Sequence, residues 1–184
     1  PALCHLYIHA MEAGPEVQRA TRAAETLETL TPGLGHLVHM PSHIYLWTGR
    51  YEDMIRLNRR AVEVDEAFVA HAGRLNPFTG YRVHNYHFVA YGAMWAGRRA
   101  LALEYARRLV EEIPPELLNA ELDSLDVYTA TPYHVLVRFG LWEELLAEPE
   151  PAPALLAARA VWHYARGVAL AALGRVEAAQ AEQQ

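Results

Sequence analysis

The sequence predicts an all-α protein built from stacked helical hairpins. Three observations carry this. Apolar residues recur at helical spacing along nearly the whole chain, and strand-like alternation is absent. Clusters of Gly and Pro separate the apolar runs, as at Thr31-Pro32-Gly33, Asn76-Pro77, Pro114-Pro115 and Pro149 to Pro153. Four short turns are alike in make-up: Thr48-Gly49-Arg50-Tyr51, Ala96-Gly97-Arg98-Arg99, Phe139-Gly140-Leu141-Trp142 and Leu173-Gly174-Arg175-Val176.

Taken in order, the pattern predicts helices over Ala2 to Ala13, Glu16 to Leu30, Gly35 to Trp47, Tyr51 to Ala72 and Tyr81 to Ala96. It continues with Ala100 to Ile113, Thr131 to Phe139, Trp142 to Ala147, Ala154 to Leu173 and Val176 onward. Each of the four turns follows an apolar helix. Each precedes a second helix with a small or apolar residue five positions after the Gly: Met54, Ala102, Leu145 and Ala179. A fifth, weaker turn is Ala13-Gly14-Pro15-Glu16, with Ala20 in that role if Pro15 replaces the Gly. Pro15 to Gly49 and Gly140 to Gly174 are each a period of roughly 34 residues, and the two middle intervals are longer by roughly 10–15. Insertions are therefore expected in or near Val69 to Gly80 and Pro114 to Asp126. The four tryptophans (Trp47, Trp95, Trp142 and Trp162) stand near turns or helix faces and read as packing between hairpins.

Composition narrows the function classes. The formal charge is −6 and all 16 basic residues are Arg, so no basic excess suits a nucleic-acid backbone. The paired arginines alternate with Glu, which reads as solvated helix faces. Cys4 stands alone, so no disulfide forms within the chain; of two readings, a metal ligand or a buried small apolar residue, the second is favoured. No apolar run is long enough for a membrane span. A cytoplasmic protein is the expectation. No signal peptide is visible, but a leader lost ahead of Pro1 stays open, because the chain begins without Met and stops within a helical pattern, as a piece of a longer chain would.

These turns and periods resemble the tetratricopeptide repeat. The stretch from Trp162 to Gln180 (WHYARGVALAALGRVEAAQ) is the nearest match, with Gly167 at the close contact between helices, and Tyr45 to Val64 (YLWTGRYEDMIRLNRRAVEV) is the next. The resemblance implies a single domain over residues 1–184, an α-solenoid of about five stacked hairpins with a concave groove. It also implies that residues about six, ten and thirteen before each turn glycine face that groove. Stretches His5 to Ala13 (HLYIHAMEA), His39 to Tyr45 (HMPSHIY) and His84 to Phe88 (HNYHF) are similar to those of a histidine-rich bacterial subgroup of such proteins, which implies a shared site and names no activity.

Eight of the ten histidines fall in this register. His36, His39 and His43 precede Gly49 by thirteen, ten and six; His84 and His87 precede Gly97 by thirteen and ten; His134 precedes Gly140 by six; His5 and His9 precede Pro15 by ten and six. His71 and His163 stand outside it. Pairs four apart (His5 and His9, His39 and His43) and three apart (His84 and His87) share a helix face within chelating reach. Imidazole suits zinc, copper, nickel and iron, and three or four ligands must converge from neighbouring helices. The candidate ligands are His5, His9, His39, His43, His84 and His87. Glu12 is a further ligand or general base, and His36, Asn85, Tyr91 and His134 are further groove residues, with Tyr7, Tyr45 and Tyr86 close by. Pro41 allows another reading, in which the third helix starts there and leaves His36 and His39 in the preceding turn. Pro132 does the same for its hairpin while His134 stays helical.

The functional expectation is a repeat protein whose His-lined groove binds a transition metal ion (zinc, copper or iron), with metalloenzyme chemistry open. The alternative is a scaffold that binds a peptide or protein in the groove without metal, or one whose histidines respond to pH. A homo-oligomer is also compatible. No HExxH, paired-Cys zinc motif, P-loop, dinucleotide loop or GxSxG is present.

Overall fold

A computed structural model describes residues 1–30 and 32–183, with all their side chains except that of Asp123. Thr31, in the loop expected at Thr31-Pro32-Gly33, lies outside the described residues. Among the described residues there is no strand. No helix among them is long and apolar enough to cross a membrane.

The helices are α1 (Ala2–Glu12), α2 (Thr21–Glu28), α3 (Gly35–His39), α4 (Pro41–Trp47), α5 (Tyr51–Ala72), α6 (Thr79–Trp95) and α7 (Arg99–Glu112). There follow α8 (Pro115–Ala120), α9 (Leu122–Thr129), α10 (Thr131–Arg138), α11 (Trp142–Ala147), α12 (Leu156–Ala172) and α13 (Val176–Ala181). A 3-10 turn at Val17–Ala20 takes the first part of the helix expected from Glu16. The second expected insertion, in or near Pro114 to Asp126, holds α8 and most of α9. The chain forms two compact units, Pro1–Tyr105 and Ala106–Gln184.

The four similar turns share one backbone solution. Gly49, Gly97, Gly140 and Gly174 all have positive φ, from 65° to 75°. The residue after each donates its N–H to the carbonyl five positions back: Arg50 to Tyr45 and Arg98 to Ala93 at 2.8 Å, Leu141 to Leu136 at 3.0 Å, Arg175 to Leu170 at 2.8 Å. The glycine N–H bonds the carbonyl three back in all four. This paired closure satisfies the last carbonyls of the helix, and it needs a residue free to take φ > 0. Gly14 has no positive φ, so the fifth turn does not share this geometry.

In the first unit α1 packs on α2 and α4, α3 and α4 pack on α5, and α5 packs on α6. Ile8, Leu27, Met40, Ile44, Met54 and Leu57 form its buried centre. At Gly92 a Cβ would meet Ile55 Cγ1 at 3.1 Å and Met54 Sδ at 3.2 Å, so the missing side chain is what lets α6 lie close to α5. The helix expected over Gly35 to Trp47 is two helices. Pro41 offers no N–H and starts α4, yet Met40 keeps helical dihedrals (φ −50°, ψ −40°). His36 and His39 therefore stay helical, and the alternative that left them in a turn is not adopted.

In the second unit the Asp126 carboxylate from α9 accepts the N–H groups of Ala157 (2.6 Å) and Ala158 (3.0 Å), capping α12. Trp162 packs in this unit at 8% exposure. The expectation for Trp47 and Trp95 is corrected: they are 64% and 48% exposed. They sit on the last turn of α4 and α6, outside the packed faces, and Trp95 stacks on Tyr51 (6.0 Å between ring centroids).

Candidate metal centre

Seven imidazoles of the first unit form a continuous cluster. Within it two groups of three bring their ligand nitrogens within 4.8 Å of one another: His5, His9 and His36, and His39, His43 and His84. α1 supplies His5 and His9 one turn apart. α3 supplies His36 and His39, α4 supplies His43 across the Pro41 junction, and α6 supplies His84. The i, i+4 relation of His39 to His43 survives the proline because Met40 stays helical.

The hydrogen bonds decide which nitrogen carries the proton on His39 and His43. Asn58 is fixed first, because its Nδ2 donates to the Met54 carbonyl at 2.8 Å and leaves Oδ1 as an acceptor. His39 Nδ1, 2.6 Å from Asn58 Oδ1, must therefore donate. His43 Nδ1 contacts Glu12 Oε2, and a carboxylate oxygen accepts, so His43 Nδ1 also donates. In the neutral state each ring then keeps its lone pair on Nε2. These two Nε2 atoms face one another at 2.8 Å. Two opposed lone pairs at hydrogen-bond distance repel unless a cation lies beside both.

A proton is a poor candidate for that cation. Burial, followed by the charges of neighbouring imidazoles, lowers His43 to about 3 and His84 to about 4. Burial drives His39, fully enclosed, well below its ordinary value. Although Glu12 contacts His43, burial and four surrounding imidazoles lower this ring. Phe88 presses on all three rings, 4.5–4.8 Å from His39, His43 and His84, and keeps the trio in apolar surroundings. A tetrahedral zinc with bonds of about 2.0–2.1 Å separates its nitrogens by about 3.3 Å. That separation falls between the 2.8 Å of the His39–His43 pair and the 4.8 Å bound of the group.

The other trio is more open. His5 Nε2 and His36 Nε2 are 3.1 Å apart. His9 Nδ1 is 2.7 Å from Glu12 Oε1 and donates to it, which again leaves Nε2 bare. His36 Nδ1 is buried without a hydrogen-bond partner, and burial with the charges of His5 and His9 lowers this ring to about 4. Tyr81 packs on His36 at 4.4 Å between centroids.

The remaining candidates fall elsewhere. His87 belongs to neither trio; it stacks on Tyr91 at 5.9 Å and lies 6.4 Å from His84. Asn85 is buried, but its Nδ2 donates to Asp65 Oδ2 (2.7 Å), so it supports α5 rather than a histidine. The Tyr45 hydroxyl donates to Glu28 (3.0 Å) and the Tyr86 hydroxyl to Glu66 (2.6 Å). Tyr7 is 39% exposed. His134 lies in the second unit, where burial lowers it. His163 pairs with Glu182 (2.7 Å), and His71 is exposed. A cavity of about 950 Å³ along α12 and α13 contains none of the clustered histidines. Sequence reasoning passed over Asn58 and Phe88 as site residues. Asn58 precedes Val62 by one helical turn on a face that reads as core, and nothing local marks it as facing His39.

Compared with known proteins, the chain matches no family model, no curated protein and no solved structure.

Proposed function

We propose that this protein is a tetratricopeptide-like helical repeat protein that binds a transition metal ion through His39, His43 and His84. The repeat reading is supported by four turns closed by the same pair of hydrogen bonds, and by the burial of Met54, Ala102 and Leu145 five positions after three of the glycines. One observation carries the metal reading: the bare Nε2 atoms of His39 and His43 at 2.8 Å, each held in that tautomer by an acceptor on its other nitrogen. Histidine ligands commonly rely on such partners to fix the ring and raise its basicity.

Three neutral imidazoles suit zinc or copper. Iron sites more often recruit a carboxylate, and both oxygens of Glu12 are engaged by Nδ1 donors. Three protein ligands leave a fourth position for water or substrate, the arrangement of catalytic zinc. The test is metal content by mass spectrometry on untagged protein purified without added metal, together with zinc uptake by the metal-stripped form. At least one equivalent, lost in the His39→Ala/His43→Ala variant with its helicity intact, supports the reading. Protein that neither carries nor takes up zinc or copper sinks it.

A further inference from the structure

Resting on that reading, we propose that His5, His9 and His36 hold a second ion, so that the centre is binuclear, with Glu12 straddling the two sites as a shared positioning residue. The two trios are not separate surface features. His9 lies 5.7 Å from His43 and His36 lies 6.0 Å from His39, ring centroid to ring centroid. The Glu12 carboxylate reaches one histidine of each trio, His9 through Oε1 and His43 through Oε2. It sets the same tautomer on both, Nδ1–H toward the carboxylate and Nε2 bare. One side chain thus prepares a donor atom for each ion while remaining outside both coordination shells.

The second trio also shows a deficit of its own. His5 and His36 face one another through Nε2 at 3.1 Å, and one proton serves that contact. His36 Nδ1 is buried with no acceptor or donor against it. Three nitrogens within 4.8 Å of one another match the donor set of the first trio. Both sites offer nitrogen alone, so both favour the same class of ion, zinc or copper.

Glu12 makes a sharp prediction because glutamine is nearly its isostere. A Gln side chain presents one acceptor oxygen and one donor NH₂. It can receive Nδ1–H from His9 or from His43, not from both. The histidine facing the NH₂ must turn its bare nitrogen to it and put its proton on Nε2, losing the ligand lone pair. One ion should bind about 10- to 100-fold more weakly while the other is retained.

The experiment is zinc stoichiometry by equilibrium dialysis of metal-stripped protein, repeated with copper(II) read by electron paramagnetic resonance. Wild type should saturate at two ions, and two copper(II) ions should show a broadened, coupled signal. His5→Ala/His36→Ala should retain one ion with an isolated copper signal, and that retained ion reports that the fold survives. Glu12→Gln should give two binding steps split by at least tenfold. Saturation of wild type at one ion, lost in His39→Ala/His43→Ala, overturns the second site and leaves the first. Two ions retained by His5→Ala/His36→Ala also overturn it. No ion in wild type overturns both readings. A Glu12→Gln protein with wild-type steps overturns the role of Glu12.

Discussion

Replacing Asn58 by Leu should weaken metal binding although Asn58 touches no ion. In the wild type its Oδ1 holds the proton of His39 on Nδ1, at 2.6 Å, and leaves Nε2 free for the metal. Leucine fills nearly the same buried volume and removes the acceptor. His39 can then move its proton to Nε2 and donate to His43 Nε2, 2.8 Å away. The metal-free protein gains a hydrogen bond there, and binding must now break it and restore the other tautomer. A neutral hydrogen bond of this kind is worth about 0.5–1.5 kcal/mol net. Loss of such an outer partner typically costs about 10- to 100-fold in affinity, or about 1.4–2.7 kcal/mol. The two ranges meet at about 1.5 kcal/mol, so a loss at the lower end, about tenfold, is expected. Competition against a chromophoric zinc chelator measures it, with circular dichroism to confirm the helices. Asn58→Asp keeps an acceptor toward Nδ1 and should bind within a few-fold of wild type. An Asn58→Leu protein with unchanged affinity, or an Asn58→Asp protein as weak as Asn58→Leu, would refute the tautomer reasoning.

Acid should destabilise the metal-stripped protein. His43 and His84 protonate at about 3 and 4 when folded and at 6.5 when unfolded, so the unfolded chain takes up protons first and stability present above 6.5 is lost as pH falls toward 4. By about pH 5 each costs about 2 kcal/mol, and Asp65, raised by burial and working in the opposite direction, returns about 1 kcal/mol. His36 and His39, also lowered by burial, add to the loss. Urea unfolding should therefore show a net loss of at least about 3 kcal/mol between about pH 7.5 and pH 5, and equal stabilities would contradict the buried neutral cluster. Gly35→Ala should cost more than Gly97→Ala. A Cβ at Gly35 would lie 2.1 Å from Asp65 Oδ1, whereas at Gly97 it meets open space and only the positive φ of 71° is strained. About 1–3 kcal/mol against about 1 kcal/mol is expected from urea midpoints, and the reverse order would refute the close approach of Asp65 to α3. His134→Ala should leave zinc stoichiometry unchanged while His84→Ala lowers it; a loss in His134→Ala would place that histidine in the centre after all.

Much of the local structure was legible in the residues. Helical periodicity located α5 at its observed ends, Tyr51 and Ala72, because a long amphipathic run between Gly49 and Gly73 leaves no other reading. The repeated turns were legible because a helix that must reverse its chain within two residues needs a glycine at φ > 0, and that need is written locally. The histidine pairs were legible because a spacing of four sets two rings on one helix face whatever the rest of the chain does. The tryptophans were misread for the complementary reason. Burial of Trp47 and Trp95 depends on what lies opposite, and the sequence carries no local sign that nothing does.

The grouping of the histidines belongs to the tertiary structure alone. Spacing pairs His84 with His87, yet packing of α6 on α3 and α5 sends His84 to His39 and His43 and leaves His87 against Tyr91. His36 was read only as a further groove residue, yet it closes the trio of α1. The carboxylate of Glu12, one turn beyond His9, reaches His43 only because α1 packs on α4. Asn58 and Phe88 are ordinary helix residues until α5 and α6 place them on the same three rings. The sequence determined which side chains stand on each helix face. Packing between helices determined which nitrogens meet, which of them lose their protons to a neighbour, and so where a cation is wanted, because tautomer and desolvation depend on partners that no stretch of chain contains by itself.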